Sequence, residues 1–140
     1  MSKEKTDQLN RSIIEFYDRL SAWENNVVRN KDYSLAQIHT LEVLGTYGSL
    51  RMKELAEKLG ITTGTLTVQV DKLAKAELVE RIPHESDRRS FLIKLTETGH
   101  QLYLEHDALH LKLTEKISQS LTETEAQTLV SCLKKMNADF

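Results

Sequence analysis

The sequence is poor in the residues that cross-link or punctuate a chain. Its 140 residues include one cysteine, Cys132, and one proline, Pro83. A lone cysteine excludes an intrachain disulfide and a cysteine-rich zinc finger. That usage suits a reducing compartment, so a cytoplasmic location is expected. Aromatic residues make up only 6% and glycine occurs five times, which favours a mainly helical fold over a turn-rich β fold. No apolar run reaches the roughly 20 residues that span a bilayer. The opening Met1-Ser2-Lys3-Glu4-Lys5 leads into a polar stretch with no apolar signal core, so no membrane partner is expected. A chain this long fits one domain, or one protomer of an intertwined dimer, and it can bury a core.

Positive charge is also in short supply. The formal net charge is −2, an unpromising total for a nucleic-acid binder, but distribution matters more than the sum. Residues 51–94 carry nine Lys/Arg against seven Asp/Glu, while the rest carries ten against fourteen. The middle is the more positive part, by a margin that a solvated surface could also produce.

Apolar periodicity organises the chain. Leu9, Ile13, Phe16, Leu20, Trp23 and Val27 step by three and four, predicting a helix over about 7–29. Ser34 can cap a second helix through Leu35, Ile38, Leu41 and Leu44, ending near Gly45–Gly48. A third covers about 51–59 with Leu55, Ala56 and Leu59 inward, and Gly60 can take the left-handed conformation that ends it. Thr62 or Thr63 can cap a fourth over about 63–76, with Leu66, Val70 and Leu73 inward. The period then changes: Leu78–Ile82 and Ser90–Leu95 read as two strands around a polar loop from Pro83 to Arg89. Helical period returns from about Thr96 to Ser120. Thr122-x-x-Glu125 forms a capping box for a last helix with Ala126, Leu129, Leu133, Met136 and Phe140 along one face.

Two short helices joined at Gly60-Ile61-Thr62 and followed by a charged hairpin make a winged helix-turn-helix between Ser49 and Thr96. The fold class is therefore mainly α with a small β-hairpin. A major groove about 12 Å wide admits one helix, braced by a second, with its first turn meeting base edges. The outward positions of that reading helix are Thr62, Thr63, Gly64, Thr65, Thr67, Val68, Gln69 and Lys72. Threonine hydroxyls can bond phosphates or bases, Gln69 can pair with adenine, and Lys72 can meet phosphate or guanine. The bland alternative is a polar face on a helical protein–protein module. An enzyme has little support, because no placed nucleophile or His-Glu-x-x-His motif is present.

The ordered set Leu55-Ala56-x-x-Leu59, Leu66-Thr67-x-x-Val70-Asp71-Lys72-Leu73, Leu78-Val79-Glu80-Arg81, Asp87-Arg88-Arg89 and Leu95-Thr96-x-x-Gly99 resembles the MarR family of prokaryotic regulators, over nearly the whole chain. The resemblance implies a single protomer over 1–140, with 49–96 binding DNA and 7–32 and 97–140 supplying homodimerisation helices. It implies a repressor on double-stranded DNA with a near-palindromic operator. It also makes Arg88 and Arg89 wing cations, with Arg89 entering the minor groove and Asp87 holding its guanidinium. A narrow minor groove concentrates negative potential and favours Arg; a surface ion pair worth little is the alternative. Two departures stand out. Relatives often carry Arg at Val68, and they usually carry Gly at Glu77, where Glu would strain a left-handed cap or the turn would differ.

His106 and His110 are four apart and share a helix face, a start for a divalent-metal site. Chance surface placement is the alternative. The chain resembles the family's zinc-uptake repressors, which implies a ligand set of Glu24, His39, His106 and His110 and a zinc or other divalent-metal effector. It also resembles the fatty-acid-synthesis repressors, through Gly64–Val68 and His39-Thr40-Leu41-Glu42. That implies an acyl effector in an apolar pocket walled by Trp23, Val27, Leu41, Leu44, Leu109 and Leu113, positions that any helical core would also use. His84 is read as solvated or touching phosphate, His100 as structural or exposed, and Cys132 as a buried small residue.

Overall fold

In the computed structural model, which describes residues 1–84 and 86–140 and only the backbone of residues 87–89, each helix begins where a hydroxyl or carboxylate can take its orphan amides. Helix α1 (Lys3–Val28) starts at Ser2, whose hydroxyl accepts the Lys5 N–H at 3.3 Å. Helix α2 (Leu35–Tyr47) starts with a reciprocal box: Ser34 Oγ accepts the Gln37 N–H at 3.1 Å, and Gln37 Oε1 accepts the Ser34 N–H at 2.8 Å. It stops at Gly48, whose φ of 80° few other residues tolerate. Helices α3 (Met52–Leu59) and α4 (Thr63–Lys75) follow, joined through Gly60 in the left-handed region at φ 67°.

The sheet has three strands, one more than the hydrophobic pattern predicts. Strand β1 (Leu50–Arg51) is too short to show a period, yet it pairs antiparallel with β3 (Asp87–Leu95), setting Leu50 opposite Ile93. Strand β2 (Val79–His84) lies on the other side, giving the order β1-β3-β2. The expected long loop from Pro83 to Arg89 is much shorter, since the strands run to His84 and resume at Asp87. Proline is compatible with this because β2 is an edge strand, where alternate N–H groups face away from the ladder. The ladder shifts register between Pro83 and His84.

Helix α5 (Glu97–Ile117) and helix α6 (Glu123–Ala138) complete the chain. Two compact units result, Met1–Tyr103 and Leu104–Phe140, with the boundary inside α5. The first holds the core: Ile38, Leu41, Leu44, Leu50, Leu55, Ala56, Leu66, Val70, Leu73, Val79 and Ile93 are buried. Each such Leu or Ile removed from water contributes about 1.5–3 kcal/mol. In the second, α6 buries no residue. Cys132, expected to be buried, is exposed, because the apolar stripe of α6 meets no cover within its unit. Thr122 caps α6 as expected, and the bonds it makes, backbone first and hydroxyl second, hold the Glu125 carboxyl below its usual range. Among the described residues no helix is long and apolar enough to cross a membrane.

The join between α4 and the hairpin is a strained turn. Glu77 has φ 61° and is the one non-glycine residue with positive φ among those described. The Leu78 N–H bonds back to the Leu73 carbonyl at 2.9 Å, the wrap that closes a helix with a left-handed residue. Thr96 locks this turn to the start of α5: its hydroxyl donates to the Glu77 carbonyl at 2.6 Å and accepts the Gly99 N–H at 3.0 Å. A Cβ at Gly99 would collide with the Leu78 backbone. Glu77→Gly should therefore raise unfolding stability by about 1 kcal/mol, the cost of a left-handed L-residue, and Gly99→Ala should lower it. Urea denaturation of the two variants against the parent chain checks both signs. No gain for Glu77→Gly would show that the turn carries no strain.

Candidate nucleic-acid interface

Helix α4 is divided sharply by face. Leu66, Val70 and Leu73 are fully buried, so the positions between them must point away from the core. Thr62, Thr63, Gly64, Thr65, Thr67, Val68 and Lys72 are exposed, as the sequence predicts, and Gln69 is half-buried. The N-terminus of α4 thus offers amides and hydroxyls to solvent on a surface suited to phosphate.

The hydroxyls are not equally free. Thr62 Oγ1 accepts the Thr65 N–H at 3.1 Å and donates to Thr65 Oγ1 at 3.0 Å, so its role is to cap the helix. Thr67 donates to the Thr63 carbonyl at 2.8 Å. Among the described residues the Thr63 and Thr65 hydroxyls donate to no carbonyl of the helix and are exposed at its first turn. Gln69 turns its side chain inward, with Oε1 3.2 Å from the hydroxyl of Thr40. Thr40 is fully buried on α2 and also lies 3.0 Å from the Ala36 carbonyl, so its one proton serves two acceptors. The amide expected to address adenine is therefore engaged with α2.

The wing is braced at two levels. At its root, the Arg81 guanidinium on β2 pairs with the Asp71 carboxylate on α4. Further out, Arg51 lies 2.9 Å from His84 Nε2. Arginine can only donate, so Nε2 is the acceptor there, while Nδ1 faces the Ser86 N–H at 3.2 Å and lies 2.8 Å from the Ser86 hydroxyl. His84 thus ties β2 to β1, a role that neither of its sequence readings anticipated. The side chains of Asp87, Arg88 and Arg89 lie outside the described residues. Lys58 stands 3.8 Å over the Tyr47 ring, joining the ends of α3 and α2. These cross-element contacts have no signal in periodicity, because each joins residues far apart in the chain.

The candidate ligand residues fall into two pairs, one in each unit. In the first, Glu24 Oε2 of α1 lies 3.0 Å from His39 Nε2 of α2. In the second, the rings of His106 and His110 on α5 are 4.9 Å apart, edge to face, and His106 is almost fully buried. Each pair offers donors suited to zinc. Glu42, one turn beyond His39 on α2 and half-buried, is a further carboxylate absent from the expected ligand set. His100 is exposed, with its ring tilted against Tyr103 at 5.9 Å. Of the expected acyl-pocket walls, Leu41 and Leu44 belong to the buried core of the first unit.

The cap on α4 has a measurable consequence. Thr62→Ala should cost about 1 kcal/mol of stability, while Thr63→Ala, at an exposed position outside the cap, should cost well under half of that. Chemical denaturation of both variants distinguishes them, and equal losses would contradict the capping geometry.

Known proteins share this arrangement. The model of the MarR family matches residues 33–91. The multiple antibiotic resistance protein MarR of Salmonella typhimurium is 30% identical over 113 residues, spanning 80% of this chain and 78% of that protein. Among solved structures, Streptococcus pneumoniae FabT in complex with DNA superposes with a TM-score of 0.82 at 24% identity, covering 95% of each chain. A mutant of E. coli MarR complexed with operator DNA gives a TM-score of 0.74 at 28% identity, covering 94% of this chain and 95% of the other.

Proposed function

The chain belongs to the MarR family of transcription regulators, which are not enzymes, and on that premise we propose that it is a homodimeric repressor reading a near-palindromic operator through α4 and the β2–β3 wing. The observation that carries this reading is the two-faced α4. Its buried Leu66, Val70 and Leu73 fix the helix to the core, while its capped N-terminus presents Thr63, Thr65 and Lys72 outward. The resemblance to operator-bound MarR supports DNA as what that face meets. Two such helices about one helical turn apart suit successive major grooves. Lys72, Arg88 and Arg89 are assigned to phosphate and minor groove, with Asp87 supporting Arg89.

Dimerisation is assigned to α1, α5 and α6. Supporting this, Leu9, Ile13 and Phe16 on α1 and Leu129, Leu133 and Met136 on α6 are exposed in the protomer. Stripes of this kind on a soluble chain mark interaction surfaces.

Gel-shift titration with the DNA flanking the chain's own gene tests the reading. Binding should fall steeply with salt, since phosphate neutralisation releases counterions. Arg89→Ala should weaken binding by about 1–3 kcal/mol, the usual worth of a specific groove contact. Absence of binding at low salt, with and without zinc, would leave the helical protein–protein module as the better reading.

For the effector we favour zinc, held by Glu24, His39, His106 and His110. Each unit already pairs two of these donors, and three imidazoles with a carboxylate make a tetrahedral set. His39 is next to Thr40, the residue bonded to Gln69 of α4, so a ligand gripping α2 lies one residue from a contact to the reading helix. By resemblance to zinc-uptake repressors, metal favours the DNA-bound spacing, and it shifts the population only by its difference in affinity for the two spacings. Metal content of chain purified without chelator should be near one zinc per protomer. It should drop to background in the His106→Ala/His110→Ala double variant. Glu24→Gln and Glu42→Gln, assayed separately, identify the carboxylate. Negligible metal in the parent chain and the double variant alike would move the assignment to an acyl or other apolar effector.

A further inference from the structure

Val68 is the one large apolar side chain on α4 that the core does not use: it is 55% exposed, while Leu66 and Val70 beside it are fully buried. A single exposed apolar residue on a protein surface is ordinary, so exposure alone carries little. Its setting carries more. Residues three and four apart share a helix face, which places Val68 between Thr65 and Lys72 at the middle of the outward face. One turn earlier on that face stands Gly64, where even a Cβ would meet nothing closer than 3.9 Å. The approach to the Val68 methyls is therefore open from the N-terminal side.

The polar groups around Val68 are largely committed. Thr67 donates to the Thr63 carbonyl, Gln69 is held by Thr40, and Thr62 caps the helix. Neither a bidentate guanine contact nor a bidentate adenine contact is left at the centre of the face. What the centre presents is two branched methyl groups, held stiffly because valine has essentially one side-chain rotamer in a helix. In the major groove the only apolar group on any base edge is the C5-methyl of thymine.

We propose that Val68 is a specificity-determining residue that reads a thymine C5-methyl, so that each half-site favours a T·A pair where the middle of α4 meets the groove. This rests on the DNA-binding reading above and adds the chemistry of the base it selects. Cytosine at that position would present a bare C5–H and leave the Val68 methyls facing a gap.

The test is selection of bound duplexes from a random pool by the full-length chain, followed by replacement of thymine with deoxyuridine at each position of the enriched site. Deoxyuridine keeps every hydrogen-bonding group and removes only the methyl. At one thymine per half-site, the replacement should weaken binding about fourfold, the worth of one buried methyl-sized group. In Val68→Ser, whose exposed site costs the helix little, that penalty should vanish. In Val68→Thr, which keeps one methyl, it should persist in part. Enrichment with no deoxyuridine penalty at any position overturns the role of Val68 and leaves DNA binding intact, as does a penalty unchanged in Val68→Ser. No enrichment at low salt overturns the DNA-binding reading and this inference with it.

Discussion

The structure depends on the burial of one helical stripe. Leu66, Val70 and Leu73 of α4 are fully removed from solvent, and with them Leu55 of α3, Ile38 and Leu41 of α2 and Ile93 of β3. A stripe at three- and four-residue spacing leaves the helix no rotational freedom. Whatever lies opposite must face outward, and here that is a row of small polar residues with one valine. Rotation by a single position would bury Thr67 and expose Leu66, at a cost of several kcal/mol in lost apolar burial and unsatisfied hydroxyl.

Fixing a helix in rotation does not fix it in tilt or position, and the remaining contacts address that. Gly60 turns the chain sharply enough for α3 to brace α4. At the other end, the left-handed Glu77 and the two bonds of Thr96 clamp the exit of α4 to the start of α5. The Arg81–Asp71 pair joins wing to helix, and Arg51–His84 joins the outer wing to β1. Exposed ion pairs contribute little stability, so these contacts are better understood as setting the angle of the wing against the helix it flanks.

Gln69 stands where the two concerns meet. It occupies the outward half of α4, yet its amide is drawn onto Thr40, a buried hydroxyl on α2. A buried polar group must find a partner, and Thr40 finds one on the neighbouring helix as well as on its own. The bond makes the orientation of α4 sensitive to α2, the helix that also carries His39 and its partner Glu24.

Local chemistry sufficed for a great deal. The Ser2 cap of α1 was not legible, but the caps at Ser34, Thr62 and Thr122, the glycines at 48 and 60, the apolar stripes of α2, α3 and α4 and the change of period near Leu78 were legible in order, as was the outward face of α4. These features arise from interactions within a few residues, so a linear reading captures them. Strand β1 was not legible, because two residues have no period and exist as a strand only through β3. Nor was the length of the hairpin, since a polar, proline-containing segment becomes strand only when an edge position excuses its missing amide. Gln69 on Thr40, His84 on Arg51 and the exposure of Cys132 were decided by tertiary structure alone. Each depends on what stands across a gap from a side chain, and that neighbour is set by packing between segments distant in the chain.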